Sequence, residues 1–277
     1  QDTGSVASGA ELLSDDGTFV PIAKRRIGLV FQDFALFPHL SVLGNVMFGL
    51  RALPKSDRQR QAETWIDRLG LSHRRDAFPH HLSGGEQQRT AIARALAPEP
   101  VAILLDEPFS GLDPAMRDQV RSAALDAVRA ANIPALLVTH DASEALVHSD
   151  QVAVINAGRI LQVDTPERIY KQPNNLAVAR ALGPLHQLPL KTLPTAWQAA
   201  LGARATPLWY RPEAIQIGAG APLPVVSVRL AGAVTEIRLR VSENETVFAT
   251  CQPTHAVQPG DTVDVSLNPE LVFEFAE

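Results

Sequence analysis

Apolar and polar positions fall in distinct blocks along the first two thirds of the chain. Residues 27–31 (Ile-Gly-Leu-Val-Phe) form a short apolar run that predicts a buried strand. A segment rich in Phe, Leu and Pro follows, through Leu53. Ala62, Trp65, Ile66 and Leu69 then recur at helical spacing with Arg and Glu between them; Ser56 can cap this helix and Gly70 ends it. A second helix is expected from Glu86 to Ala97, with Ile92, Ala95 and Leu96 on one face. Val101 to Leu105 is continuously apolar and stops at two acids, Asp106 and Glu107. That pattern predicts a strand buried on both faces, hence a parallel sheet. Asp113-Pro114 supplies a capping carboxylate and a proline at the first helical position, opening a helix to Ala131. Residues 134–139 predict the next buried strand, ending at His140. A short helix, strand 151–155, a turn at Asn156-Ala157-Gly158 and strand 160–163 come next. Thr165-Pro166-Glu167 opens a last helix by the same capping logic. Strands alternating with helices predict an α/β domain with a parallel sheet.

The pattern changes near Gly183-Pro184. Short strands are expected at 208–210, 214–217, 225–230, 233–241, 246–250, 262–267 and 271–275. Turn clusters such as Ser242-Glu243-Asn244-Glu245 and Gln258-Pro259-Gly260-Asp261 separate them. A small all-β domain, sandwich or barrel, is expected over 184–277, after an α/β domain over 1–183.

With 277 residues, the chain has room for one large domain plus a small one. No apolar run approaches the roughly 18 residues of a spanning helix, so a membrane role would come through a partner. No signal-peptide pattern opens the sequence, and a cytoplasmic location is expected. The formal net charge of -5 argues against nucleic-acid binding. Cys251 is the only cysteine, which excludes an intrachain disulfide and reads as a small strand residue.

Five motifs carry candidate chemistry. Leu82-Ser83-Gly84-Gly85-Glu86 stands immediately ahead of a helix. Glycines let backbone approach an anion closely, a helix start offers free N–H groups, and Ser83 adds a hydroxyl. A simple capped helix start fits the same residues. At the end of an apolar strand, Asp106 is placed to hold Mg²⁺ and Glu107 to take a proton from an attacking water. A strand-terminating acidic turn is the alternative. Asp113 can cap its helix or contact a partner subunit. His140, after its strand, can orient a phosphate or the catalytic acid, or be structural. Gln32, after strand 27–31, can contact metal or water.

In this order, Phe31-Gln32, Leu82–Gln88, Ala102–Pro108, Ser110–Asp113 and Val138–Asp141 make the chain resemble the nucleotide-binding subunit of an ATP-binding-cassette (ABC) transporter. The resemblance implies an ABC-type P-loop ATPase domain with a helical subdomain at about 33–97, then a small TOBE-like domain built as an OB-type barrel. It implies ATP and Mg²⁺ as cofactors. Gln32 would be the Q-loop residue and a ligand of Mg²⁺, Ser83, Gly84, Gly85 and Glu86 the signature sequence, and Asp106 the Walker-B acid. Glu107 would be the general base, Asp113 the D-loop residue and His140 the switch histidine. ATP would lie between two copies of a homodimer, the signature and D-loop contacting it in trans. The partners implied are membrane permease subunits and, through them, a periplasmic or extracellular solute-binding protein, with no nucleic acid. The location implied is the cytoplasmic face of the membrane. Trp209-Tyr210-Arg211-Pro212-Glu213 is similar to the segment that opens the accessory domain of importer ATPases. Phe31–Leu40 and Ser110–Asp113 resemble the subgroup handling ferric iron, polyamines, sulfate, phosphonates or sugars, and the short tail and Gly158–Gln162 lean toward ferric iron. A catalytically inactive or regulatory ABC subunit and a non-transport ABC ATPase are the other readings.

No Gly-x-x-x-x-Gly-Lys-Ser/Thr loop occurs, and none of Lys24, Lys55, Lys171 and Lys191 follows a glycine. The family carries that loop upstream of the segment that Gln1–Val6 resembles. An N-terminally incomplete sequence is therefore expected, with a natural degenerate subunit as the alternative. Without the loop, the chain by itself is expected neither to bind ATP tightly nor to hydrolyse it. Its sheet is expected to expose apolar faces and open edges.

Overall fold

The computed structural model describes residues 3–204, 207–253 and 256–275. Gln1 and Asp2, part of the stretch compared above, lie outside the described residues. Residues 1–140 and 141–277 form two compact units.

In the first unit, β1 (Val6–Ser8) and β2 (Glu11–Ser14) form an antiparallel hairpin. Strand β3 (Ile27–Val30) is followed by α1 (Val42–Met47), α2 (Lys55–Arg68) and α3 (Gly84–Leu96). Strand β4 (Ala102–Asp106), α4 (Pro114–Ala130) and β5 (Ala135–Val138) complete it. The order β3-β4-β5 is a parallel sheet, as the alternation of elements predicts. Val30, Ile103 and Leu105 point into one core with Ile92 and Leu96 of α3 and Val120, Ala124 and Val128 of α4. The same core runs on to Trp65 and Ile66 of α2, Leu69 just past its end, and Val42 and Val46 of α1. Buried Asn45 ties the approach to α1: its side chain bonds the Phe37 N–H and the carbonyls of Phe37, Leu40 and Ser41.

The expectation of strands buried on both faces is corrected here. Leu29, Leu104 and Leu136 lie in one register row across the sheet. Leu29 is 40%, Leu136 59% and Val138 49% exposed. An uninterrupted apolar strand is able to bury two faces, but α3 and α4 cover only one. Among the described residues of this unit, nothing shields the row through Leu104.

The second unit begins with α5 (Ala142–His148), the antiparallel pair β6 (Val152–Asn156) and β7 (Arg159–Asp164), and α6 (Pro166–Lys171). Helix α7 (Leu176–Ala181), strand β8 (His186–Gln187) and helix α8 (Thr195–Leu201) follow. Both helices are too short to show a period in the sequence; α7 is set by the Asn175 side chain, which accepts from the Val178 N–H. Then come β9 (Leu208–Tyr210), β10 (Ile215–Ala231), β11 (Val234–Arg240), β12 (Thr246–Cys251), β13 (Thr262–Leu267) and β14 (Val272–Glu274).

The β-rich part is not the OB-type barrel that the resemblance implied. It consists of a four-stranded sheet, β12-β11-β10-β13, and a three-stranded one, β14-β9-β8. The strands expected at 214–217 and 225–230 are one bent strand, β10. Its first half pairs with β13 and its second half with β11, with a register break between Ile217 and Ala221. Gly220 makes the bend possible: φ is +126°, and a Cβ there would lie 2.2 Å from the Val265 carbonyl oxygen. Closure would need β12 and β13 to pair, and they do not. On β12 the Phe248 N–H donates to the Tyr210 hydroxyl at 2.7 Å, so a side chain rather than a strand satisfies it.

Arg211, fully buried, joins α6 and α7 to this β-rich part. Its guanidinium lies 3.8 Å from the Tyr170 ring centroid and donates to the Tyr170 and Ala179 carbonyls at 3.4 and 3.3 Å. The Tyr170 hydroxyl donates to Glu213 at 3.0 Å. Burial, with Glu213 nearby, pushes the Tyr170 pKa up to about 12.

Candidate functional site

The parallel sheet delivers Gln32, Asp106, Glu107 and His140 to one edge. Register pairs Val30 with Leu105 and Asp106 with Val138, so the residues just past each strand share the carboxyl end of the sheet. Glu107 has φ +43° and sends its N–H to the Val138 carbonyl at 2.9 Å. A non-glycine residue in that region is strained, and this turn aims the Glu107 carboxylate at His140. His140 Nδ1 lies 3.1 Å from Glu107 Oε2. The Ser110 hydroxyl donates to the Glu107 carbonyl at 3.0 Å and holds the turn from the other side. Asp106 is exposed, and its carboxylate has no hydrogen bond or ion pair among the described residues.

Gln32 is exposed and opens a strained loop: Phe34 has φ +62° and Ala35 +41°. Arg94 of α3 clamps that loop. Its guanidinium donates to the Ala35 carbonyl at 2.6 Å and the Phe34 carbonyl at 2.8 Å, and lies 5.5 Å from the Phe37 ring centroid. Burial lowers its pKa. Nothing in the sequence marked Arg94, since an arginine on a helix face reads as solvated.

The start of α3 is a capping box. Ser83 Oγ accepts from the Glu86 N–H at 3.3 Å, and Glu86 Oε2 accepts from the Ser83 N–H at 2.8 Å and its hydroxyl at 3.0 Å. Glu86 Oε1 accepts from Arg74 Nε at 2.9 Å. Burial alone would raise the Glu86 pKa; the Ser83 N–H, Arg74 and the Ser83 hydroxyl overcome it and hold it at about 2. The N–H groups of Gly84 and Gly85 stay unbonded among the described residues, at the positive end of the helix. Gly85 is also required by packing, because a Cβ there would lie 2.8 Å from Val120 Cγ2 of α4. Leu112 lies against Gly84, and the Asp113 carbonyl accepts from the Arg117 N–H at 3.0 Å, where α4 starts.

The predicted residues thus form two groups, Gln32-Asp106-Glu107-His140 and Ser83–Glu86, with Asp113 beside the second. No hydrogen bond or ion pair joins the groups among the described residues. The donor set fits a nucleotide and a hard cation: two unbonded N–H groups at a helix start, and a free carboxylate at a strand end. Among the described residues, no three His, Cys, Asp or Glu side chains gather to hold a metal. No described helix is long and apolar enough to cross a membrane.

Comparison with known proteins bears on the family of the chain. Residues 1–110 match the ABC transporter family and residues 210–275 the TOBE domain family. The chain is 37% identical over 289 residues to the "Fe(3+) ions import ATP-binding protein FbpC" of Yersinia enterocolitica, covering 96% of this chain and 82% of that protein. The protein of that name in Yersinia pestis is 46% identical over 183 residues, covering 66% of this chain and 52% of its own. The one in Haemophilus influenzae is 42% identical over 193 residues, covering 69% and 55%. The chain thus spans about half the length of several curated relatives it matches. Among solved structures, cbiO1 from Clostridium perfringens, part of the ABC transporter complex cbiONQ, aligns with TM-score 0.50 at 31% identity, covering 54% of this chain and 61% of that one. The chain belongs to the ABC transporter ATP-binding subunits, in the branch related to ferric-iron importers, and carries a TOBE domain.

Proposed function

We propose that the chain is the ATP-hydrolysing subunit of an ABC importer that works as a homodimer on the cytoplasmic face of a membrane, beside permease subunits fed by a solute-binding protein. Residues 1–183 serve as the ATPase domain, with 33–97 as its helical subdomain, and 184–277 as the accessory domain. Ferric iron is the cargo; the ferric-iron import named for several relatives supports that choice. The observation that carries the reading is Glu107, held 3.1 Å from His140 beside Asp106, unpartnered among the described residues, at the carboxyl end of a parallel sheet.

Bound Mg-ATP supplies the phosphoanhydride bond that is cleaved. Glu107 takes a proton from the attacking water, and His140 keeps its carboxylate in position. Asp106 and Gln32 would hold the Mg²⁺ that comes with ATP. Ser83, Gly84 and Gly85 donate to the phosphates held by the other copy, and Asp113 meets that copy at the start of α4. The test is ATP hydrolysis by the protein as the cell makes it. Glu107→Gln should lower turnover by about 10²-fold or more while ATP still brings two copies together. Unchanged hydrolysis in Glu107→Gln would overturn the assignment.

A further inference from the structure

Glu86 is a nine-tenths buried carboxylate at the mouth of the helix start where phosphate is expected to dock. It draws on the donors that a phosphate would use. The Ser83 hydroxyl carries one hydrogen, and the geometry commits it to Glu86 Oε2 at 3.0 Å. The Ser83 N–H goes to the same oxygen at 2.8 Å, leaving only the Gly84 and Gly85 N–H groups unbonded. An incoming polyphosphate therefore meets a second anion at close range, and like charges in a partly shielded site repel strongly.

The groups that face this carboxylate decide how much of that repulsion survives. Arg74 Nε lies 2.9 Å from Glu86 Oε1, and exposed His73 Nε2 lies 3.5 Å from it. Arg75 is turned away and pairs with Glu63. Arg74 comes from the turn of residues 72–74, not from α3, so no helical pairing puts it there. Its Nε is spent on Glu86 Oε1, while the Ser83 N–H and hydroxyl go to the other oxygen, Oε2.

We infer that Arg74 is a positioning residue that sets the phosphate affinity of the α3 start by neutralising Glu86. The inference rests on reading Ser83–Gly85 as phosphate donors. With Arg74 in place, part of the Glu86 charge is compensated, and the Ser83 hydroxyl can turn from the carboxylate to a phosphate oxygen. Without Arg74 the uncompensated carboxylate repels the ligand. An arginine that bound phosphate directly would act whether or not residue 86 carries charge.

Inorganic tripolyphosphate, titrated into the protein while the Gly84 and Gly85 amide resonances are followed, separates these cases. Four forms are compared: unaltered, Arg74→Gln, Glu86→Gln and the double variant. Gln at 86 keeps an acceptor for the Ser83 N–H, so the capping box survives. Glu86→Gln should bind about tenfold tighter and Arg74→Gln about tenfold weaker. The double variant should match Glu86→Gln alone, and Arg74→Lys should bind close to the unaltered protein. These effects should shrink in high salt. If Arg74→Gln weakens binding by the same factor with and without the Glu86 charge, Arg74 acts directly and the inference falls. It also falls if Glu86→Gln titrates like the unaltered protein. If neither glycine resonance moves in any form, the phosphate-donor reading itself is wrong, and this inference fails with it.

Discussion

Arg94→Ala should free the loop after β3 without loosening the rest of the unit. In the folded protein the Arg94 guanidinium donates to the Ala35 and Phe34 carbonyls at 2.6 and 2.8 Å. A hydrogen bond from a charged donor contributes about 1.5–3 kcal/mol when shielded, and here one of the two is exposed. About 2 kcal/mol for the pair is the figure to test. The clamp also opposes backbone strain: Phe34 and Ala35 both sit at positive φ, which costs about 1 kcal/mol or more per residue. Removing the clamp should let this turn open about 30-fold more often. Phe34, whose N–H bonds the Phe31 carbonyl, reports the opening through amide hydrogen exchange. Phe37 is the internal control, because its N–H is held by buried Asn45 and not by the clamp. Exchange at Phe34 should accelerate about 30-fold while Phe37 stays within about threefold of its original rate. Arg94→Lys should recover only part of the protection, since an ammonium lacks the planar fork that spans two carbonyls. Equal acceleration at both amides would mean general destabilisation, and no change at Phe34 would mean that the clamp carries no energy; either result refutes the argument.

Two further outcomes are expected. Gly85→Ala places a Cβ 2.8 Å from Val120 Cγ2, a stiff β-branched side chain, and should cost about 1–3 kcal/mol in urea unfolding. Gly84→Ala, whose Cβ would meet Leu112 at a comfortable 3.7 Å, should be tolerated. The pH dependence of stability carries the Glu86 signature. Its pKa falls from 4.5 to about 2 on folding, so its contribution is fully present above about pH 4.5 and is lost as pH drops toward 2. The urea midpoints of the protein and Glu86→Gln should therefore converge across that window, and parallel curves would contradict the assigned partners.

What the sequence revealed depended on the range of the interactions. Ala102–Asp106 declared itself because four apolar residues ending in acids have few other structural meanings, and β4 stands at that place. The capping box at Ser83 and Glu86 is local, so its spacing was readable. Arg94, Arg74 and Asn45 were not, because each is defined by carbonyls or a carboxylate distant in sequence or on another element. Apolar content told that β3, β4 and β5 could be buried, and left open how many sides something would cover. The count of short β runs was nearly right, yet it held no information about closure. The bend in β10 turned two expected strands into one and gave the fold two sheets in place of a barrel. Helices α7 and α8 escaped notice for want of length.

Arg211 has a consequence for how relatives of this chain can diverge. The guanidinium lies flat on Tyr170, reaches the carbonyls of Tyr170 and Ala179, and has an Nη1 3.5 Å from where a Cβ on Gly183 would stand. Lysine has no plane to stack, and an apolar residue abandons both carbonyls. Gly183, at φ +147°, accepts no side chain without strain. Drift at position 211 is therefore shut off unless positions 170 and 183 change with it. In an alignment of relatives these three columns should vary together or not at all, an imprint of inheritance left by one buried cation held by a ring and two carbonyls.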